Sequence, residues 1–135
     1  MRARGRFLSK QDAAMKMQIK QEYLFISFAG NLEYGKIEEM KKELQAHMFD
    51  ADADYVIDMQ QVVNIDSTGF GMIVNFAKKV SVRGKKIVII VADEFIRNLF
   101  AISQCDKVFP IVKDEGQVHE ILKNGWQAEI LISEY

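Results

Sequence analysis

The alternation of apolar and polar residues predicts two adjacent strands near the amino terminus. Apolar residues recur at every second position in two runs, Met17 and Ile19 followed by Leu24, Ile26 and Phe28. This spacing is typical of strands with one buried face. The pair Gly30-Asn31 is expected to break the second strand. Further strands are predicted at Tyr55–Met59, at Ile87–Val91 and near Val108–Ile111, and the unbroken β-branched run at Ile87–Val91 favours burial on both faces of a mostly parallel sheet.

Four helices are predicted between and after these strands, because apolar residues recur there at spacings of three and four. The stripes are Ile37, Met40, Leu44 and Met48; Phe70, Ile73, Val74, Ala77 and Val80; Phe95, Ile96, Leu99, Phe100 and Ser103; and Val118, Ile121 and Leu122. The first helix is expected at about residues 33–48. Asp93 and Asp114 are expected N-caps of the last two helices, and Gly84 is expected to end the second.

The order β-β-α-β-α-β-α-β-α indicates a single α/β domain. We expect a mixed sheet of four to five strands, with about four helices packed mainly on one face. The domain is predicted at residues 17–124. Residues 1–16 are expected to be a flexible basic extension, and residues 125–135 an extension that could add a strand.

Charge and composition narrow the classes of function. The net charge is −1. Residues 1–16 contribute +4, which leaves −5 on the rest of the chain and argues against nucleic acid as the main partner. No apolar run approaches the length of a membrane span. Because Cys105 is the sole cysteine, no internal disulfide can form, and a cytoplasmic setting is expected.

The segment from Asn64 to Gly71 carries the candidate chemistry. It lies between a predicted strand and a predicted helix, where ligands and partners meet open α/β sheets. Asp66, Ser67 and Thr68 are all good N-cap residues, so a plain helix cap explains part of this string. The alternative is a hydroxyl presented for phosphorylation, since a helix N-terminus tolerates the added negative charge.

This string, Asn64-Ile65-Asp66-Ser67-Thr68-Gly69-Phe70-Gly71, resembles the signature of STAS domains, specifically of bacterial anti-sigma factor antagonists. The resemblance extends over about residues 17–122. Three further segments carry it, Gly30-Asn31-Leu32-Glu33, Arg83-Gly84-Lys85-Lys86 and Asp106-Lys107-Val108-Phe109-Pro110-Ile111. Gln104-Cys105-Asp106 departs from the Gly-Leu-Asp often found before the last strand of the family, and Phe70 replaces its usual leucine.

The resemblance implies a switch controlled by phosphorylation. The unphosphorylated protein would bind an anti-sigma factor that is also a GHKL-type serine kinase and would thereby release the sigma factor. The kinase would phosphorylate Ser67, with Thr68 as the secondary candidate, and a serine phosphatase would reset it. The implied partner-binding residues are Asn31, Glu33, Asp66, Ser67, Thr68, Gly69 and Gly71. Asp66 would shape the acceptor loop, the two glycines would admit a partner backbone, and a homodimer is compatible with the family.

Enzyme chemistry is not expected. A serine hydrolase needs a histidine partner, and His47 and His119 lie on the first and last predicted helices. These histidines and Cys105 lack the spacing of a metal site, and neither a metal nor a cofactor is expected.

Two kinds of alternative stay open. Within the STAS class, they are a stressosome-type scaffold component and a subunit of a transport system. A receiver-like phosphoaspartate switch is the alternative from a different class. In that case Asp58, expected at the end of a strand, would be the phosphate acceptor.

Overall fold

The computed structural model describes residues 13–47 and 53–135. The strands are β1 Ala13–Lys20, β2 Tyr23–Leu32, β3 Asp54–Ile65, β4 Ile87–Ile90 and β5 Ile111–Val112. The helices are α1 Glu38–His47, α2 Ser67–Val82, α3 Glu94–Ile102 and α4 Glu115–Asn124. Two short 3₁₀ helices, Cys105–Lys107 and Ile132–Glu134, complete the described elements.

The five strands form one mixed sheet in which spatial order follows chain order, β1-β2-β3-β4-β5. β1 and β2 form an antiparallel hairpin, and each following strand pairs in parallel with the one before it. The parallel pairs are connected through helices, as parallel strands require. The predicted α/β fold with a mixed sheet is confirmed.

Two apolar layers enclose the sheet. The larger core lies between the sheet and α1, α2 and α3, and the smaller one lies under α4 on the opposite face. The four residues of β4 are all buried and alternate between the layers, Ile87 and Ile89 in the larger and Val88 and Ile90 in the smaller. This alternation confirms that the β-branched run is covered on both faces.

Capping residues in the sequence determine where the helices begin and end. The carboxylates of Asp66, Asp93 and Asp114 cap α2, α3 and α4, each accepting a backbone hydrogen bond from the residue three positions later at 2.9–3.0 Å. Gly84 follows α2 with a φ of +83°, a conformation that glycine adopts without strain. α1 begins later than the predicted residue 33, because Lys36 N–H donates to the Glu33 carbonyl in a turn.

The sheet extends beyond the amino-terminal domain boundary predicted at residue 17. β1 begins at Ala13, which pairs with Gly30, so residues 13–16 belong to the sheet. Ala13, Met15 and Met17 pack against the larger core. Residues 1–12 of the expected basic extension lie outside the described residues.

β2 and β3 both continue past their predicted ends. Gly30, with a φ of +82°, does not terminate β2 but accompanies irregularities in its pairing with β3. β3 runs to Ile65, seven residues beyond Asp58. Asp58 is therefore inside the strand, where its carboxylate accepts hydrogen bonds from the backbone and side chain of Gln60 at 3.0 Å.

The carboxyl-terminal residues 125–135, an extension that could have added a strand, contain no strand in the structure. Instead, these residues cross one end of the sheet and are held there by hydrogen bonds. The N–H groups of Glu129 and Ile130 both donate to the Lys107 carbonyl, at 2.8 and 3.1 Å. The Tyr135 hydroxyl donates to the Ser103 carbonyl at 3.2 Å. Residues 125–135 are called the tail below.

Candidate functional site

Ser67 lies at the carboxyl edge of the parallel strands, as the first residue of α2. β2, β3 and β4 all end at this edge, so the turn after β2, the start of α2 and the start of α3 are neighbours there. Ser67 is exposed, whereas Thr68 is only half-exposed. The edge therefore presents the Ser67 hydroxyl to solvent at the N-terminus of a sixteen-residue helix.

Asp66 joins the two loops that flank Ser67. One carboxylate oxygen, Oδ1, accepts from Gly69 N–H, and the other, Oδ2, accepts from Tyr34 N–H, both at 2.9 Å. The Asp66 N–H donates to the Leu32 carbonyl at 3.2 Å. These contacts hold the turn after β2 against the start of α2. The backbone donors of Tyr34 and Gly69 also lower the pKa of Asp66 from its ordinary value, because they stabilise the ionised carboxylate.

Gly69 has a structural role that differs from the predicted one. A Cβ atom at this position would overlap the carbonyl oxygen of Leu32 and would lie 2.9 Å from the Leu32 Cβ. Gly69 is buried, and its missing side chain leaves room for the backbone of β2. By contrast, nothing lies within 4 Å of a Cβ built on Gly71. The expectation of close approach by a partner stays a prediction for Gly71.

Asn31 also faces inward. The residue is 8% exposed, and its Oδ1 accepts from Asn64 Nδ2 at 3.3 Å. The predicted direct contact with a partner does not fit this burial, because the amide connects β2 to β3. Glu33 is half-exposed on the turn, where its carboxylate lies 3.8 Å from Lys36 Nζ. Its predicted docking role stays a prediction.

Exposed apolar side chains near this edge were not identified from the sequence. Tyr34 is 78%, Val63 53% and Phe95 72% exposed. Phe95 was included in the apolar stripe of α3, but Ile96 and Phe100 alone on that helix are buried. The sequence did contain a signal for the exposure of Phe95. Phe95 is the second residue of α3, and the buried face of the helix begins at the next residue, Ile96. A contiguous patch of large apolar side chains exposed to solvent commonly marks a contact surface.

Catalytic and metal-binding groups do not gather at this edge. No group of three or more potential metal ligands occurs within residues 13–47 and 53–135. His119 is exposed on α4, and the side chain of His47 lies outside the described residues. The arrangement offers a hydroxyl, a fixed carboxylate and apolar side chains, which are suited to protein contact.

No helix in the described part of the chain is both long enough and apolar enough to cross a membrane.

Comparison with known proteins agrees with this architecture. The model of the STAS domain family matches residues 14–118. An anti-sigma factor antagonist from Mycobacterium paratuberculosis has a similar fold, with a TM-score of 0.70 and 15% identity over 83% of this chain and 95% of that one. The anti-sigma factor antagonist SpoIIAA, in its unphosphorylated form, gives a TM-score of 0.63 and 12% identity over 84% of this chain and all of that one.

SpoIIAA, a Bacillus cell fate determinant, is also similar in its phosphorylated form, with a TM-score of 0.63 and 14% identity over 80% of this chain and 99% of that one. At these identities the likeness to solved structures concerns the fold. The family match covers most of the chain and includes the Ser67 edge. The chain therefore belongs to the STAS domain family.

Proposed function

We propose that this protein is an anti-sigma factor antagonist whose binding to an anti-sigma factor is switched off by phosphorylation of Ser67. The observation that carries the proposal is the exposed Ser67 hydroxyl at the first position of α2, directly after the ionised cap Asp66. The similarity to SpoIIAA, which has been solved in unphosphorylated and phosphorylated forms, supports it. In this role the protein is a binding module and not an enzyme.

The docking face is defined as Glu33, Tyr34, Val63, Ser67 and Phe95. In the unphosphorylated state its exposed aromatic and aliphatic side chains would contact the partner, since aromatic anchors contribute strongly to interface energies. The small neutral hydroxyl of Ser67 would fit within such a contact. The partner would be an anti-sigma factor that is also a GHKL-type serine kinase.

Phosphorylation would change this face by charge. A phosphoserine carries about −1.5 to −2 charges at neutral pH. The N-terminus of α2 favours a nearby anion, so the fold is expected to tolerate the phosphate. Asp66 is already bound to two backbone N–H groups and stays negative, so it would turn the phosphate outward through repulsion. A partner that docks onto apolar side chains would then have to bury an unpaired double charge, which is costly.

The direct test is phosphorylation by candidate kinase partners with ATP, followed by mass spectrometry. We expect one phosphate, on Ser67, and none in Ser67→Ala, which should bind the kinase constitutively. Thr68→Ala tests the secondary candidate, and Ser133→Ala, an exposed serine of the tail, is the matched control. Phosphate on any other residue, or unchanged phosphorylation of Ser67→Ala, contradicts the proposal.

The stability of the phosphate and the identity of the captured partner separate the alternatives. An acid-stable phosphoserine supports the antagonist, whereas an acid-labile acyl phosphate on Asp58 supports the receiver-like switch. Capture from cytoplasmic extract should recover a GHKL-type kinase and a serine phosphatase. Recovery of an ABC transporter ATPase favours the transport role, and recovery of a large assembly of other STAS proteins favours the stressosome-type scaffold.

A further inference from the structure

A concave site lies at the opposite end of the sheet from Ser67. It is a cavity of about 420 Å³ between the start of β4, the carboxyl end of α4 and the tail. Ser81 is at its edge, fourteen residues along α2 from Ser67, which corresponds to about 21 Å of helix. The docking face does not reach this cavity, so a ligand bound there would be independent of the proposed function.

The cavity exists because the tail crosses the sheet end without filling it. Ile87 and Phe109 belong to the larger core, whereas Leu122 packs against the smaller one. All three line the cavity, together with Trp126 and Leu131 of the tail. Trp126 is 37% and Leu131 61% exposed. These side chains leave an apolar surface open to solvent that a ligand of matching shape would cover.

The charged residues that line this cavity are basic. Lys85 and Lys86 line it, and the described lining contains no acidic side chain. The carboxylate of Asp54 contacts this segment through the backbone, because it accepts the Lys86 N–H at 3.0 Å. This hydrogen bond holds the backbone in place at the residue before β4. An exposed lysine, Lys86, beside an apolar wall is complementary to a molecule with a hydrocarbon chain and an anionic head.

We propose that this cavity binds a medium-chain carboxylate, with the chain against Leu122, Trp126 and Leu131 and the carboxylate at the exposed Lys86. The volume of about 420 Å³ lies in the range of small-molecule sites, about 300–1,000 Å³. A methylene group occupies about the volume of a water molecule in the liquid, about 30 Å³, so a chain of about ten to twelve carbons fits.

Trp126 is the sole tryptophan of the chain. It lines this cavity and also a neighbouring one beside α3, so its fluorescence reports a ligand in either, and the variants below show which cavity holds the ligand. The probe is 12-bromododecanoate, whose bromine quenches tryptophan fluorescence on contact, titrated into the full chain below its micelle concentration. We expect saturable quenching at one ligand per chain. The methyl ester and dodecyltrimethylammonium should compete at least about tenfold more weakly than dodecanoate, because they lack the anionic head. Absence of saturable quenching, or equal competition by the three compounds, overturns the proposal.

Two variants locate the site. Lys86→Glu reverses a charge at the rim and should weaken binding about tenfold, whereas Lys42→Glu on α1, which is exposed and away from the cavity, should leave binding unchanged. Ala128→Phe places a larger side chain in the half-buried tail and should abolish one-to-one binding. Circular dichroism confirms that each variant is folded. Unchanged affinity in both Lys86→Glu and Ala128→Phe places the ligand elsewhere and overturns the proposal.

Discussion

At the scale of single residues, two glycines of α2 differ in what their missing side chains do. We predict that Gly69→Ala destabilises the fold by about 1–3 kcal/mol, because the added methyl overlaps the Leu32 carbonyl and forces backbone movement. Gly71→Ala is the matched control on the same helix. With open space around its Cβ, it should stabilise α2 by about 0.5–1 kcal/mol. Urea unfolding measures both, and equal effects would contradict the assigned role of Gly69.

Asp66 provides a second residue-scale prediction, on pH dependence. Its pKa is lowered in the folded state from the ordinary value of 3.8. Its contribution to stability is therefore fully present above that ordinary value and is lost as pH falls through the lower folded pKa. Asn at this position still caps Gly69 through its oxygen, but its amide cannot accept from Tyr34 N–H. Asp66→Asn should be less stable than the native chain at pH 7, with a difference that shrinks below about pH 3.8.

Asp93→Asn is the control for that comparison, since Asp93 accepts a cap hydrogen bond from Ile96 N–H, which an asparagine oxygen can also accept. Unfolding free energies of the native chain and both variants across pH 2.5–7 test the prediction. A difference for Asp66→Asn that stays constant over this range would show that ionisation of Asp66 does not stabilise the junction.

At the scale of elements, the tail covers the buried thiol of Cys105. Burial raises the pKa of Cys105 to about 12, and the thiol has no exposed surface. Native protein should therefore react very slowly with iodoacetamide at pH 8. Deleting residues 126–135 removes Tyr135, which contacts Cys105, and should accelerate labelling at least about tenfold. Tyr135→Phe keeps the ring and should change the rate far less, and labelling in urea should be fast in all three proteins.

The success of the sequence predictions also depends on the element. β4 and the caps Asp93 and Asp114 were identified because their signals are local, a β-branched run and a side chain beside its own helix. The start of β1 was missed because Lys16 gave residues 13–16 the charge of a leader, although Met15 and Met17 alternate correctly. The bulged continuation of β2 depends on pairing with β3, a long-range contact that no single segment encodes.

The candidate site likewise contains residues that a local sequence signal identifies and residues whose roles depend on long-range contacts. Ser67 and Asp66 could be found because a string of cap residues precedes an apolar stripe. The inward-facing roles of Asn31 and Gly69 could not be predicted, because each depends on a residue distant in sequence. Asn31 contacts Asn64, and Gly69 packs against Leu32. The exposure of Phe95 follows from where α3 packs, which is likewise set by tertiary contacts.

At the scale of the whole molecule, stability and docking should be separable, because no residue of the docking face belongs to either apolar core layer. Ser67 is exposed, and exposed substitutions usually change stability by less than about 0.5 kcal/mol. Ser67→Asp adds an anion at the α2 N-terminus, which is favourable, beside ionised Asp66, which is unfavourable, so these effects oppose each other. We predict an unfolding free energy within about 0.5 kcal/mol of the native value, together with at least about tenfold weaker binding to the kinase partner.

Both quantities can be measured on one preparation, by urea unfolding and by calorimetric titration with the partner. Ser133→Asp, an exposed serine of the tail changed in the same way, should alter neither. If Ser67→Asp lost affinity only in proportion to lost stability, the effect would arise from a damaged fold. If it bound as tightly as the native chain, a charge at the N-terminus of α2 would not control docking. Weak binding by a fully stable Ser67→Asp is the result that only a switch located on the surface produces.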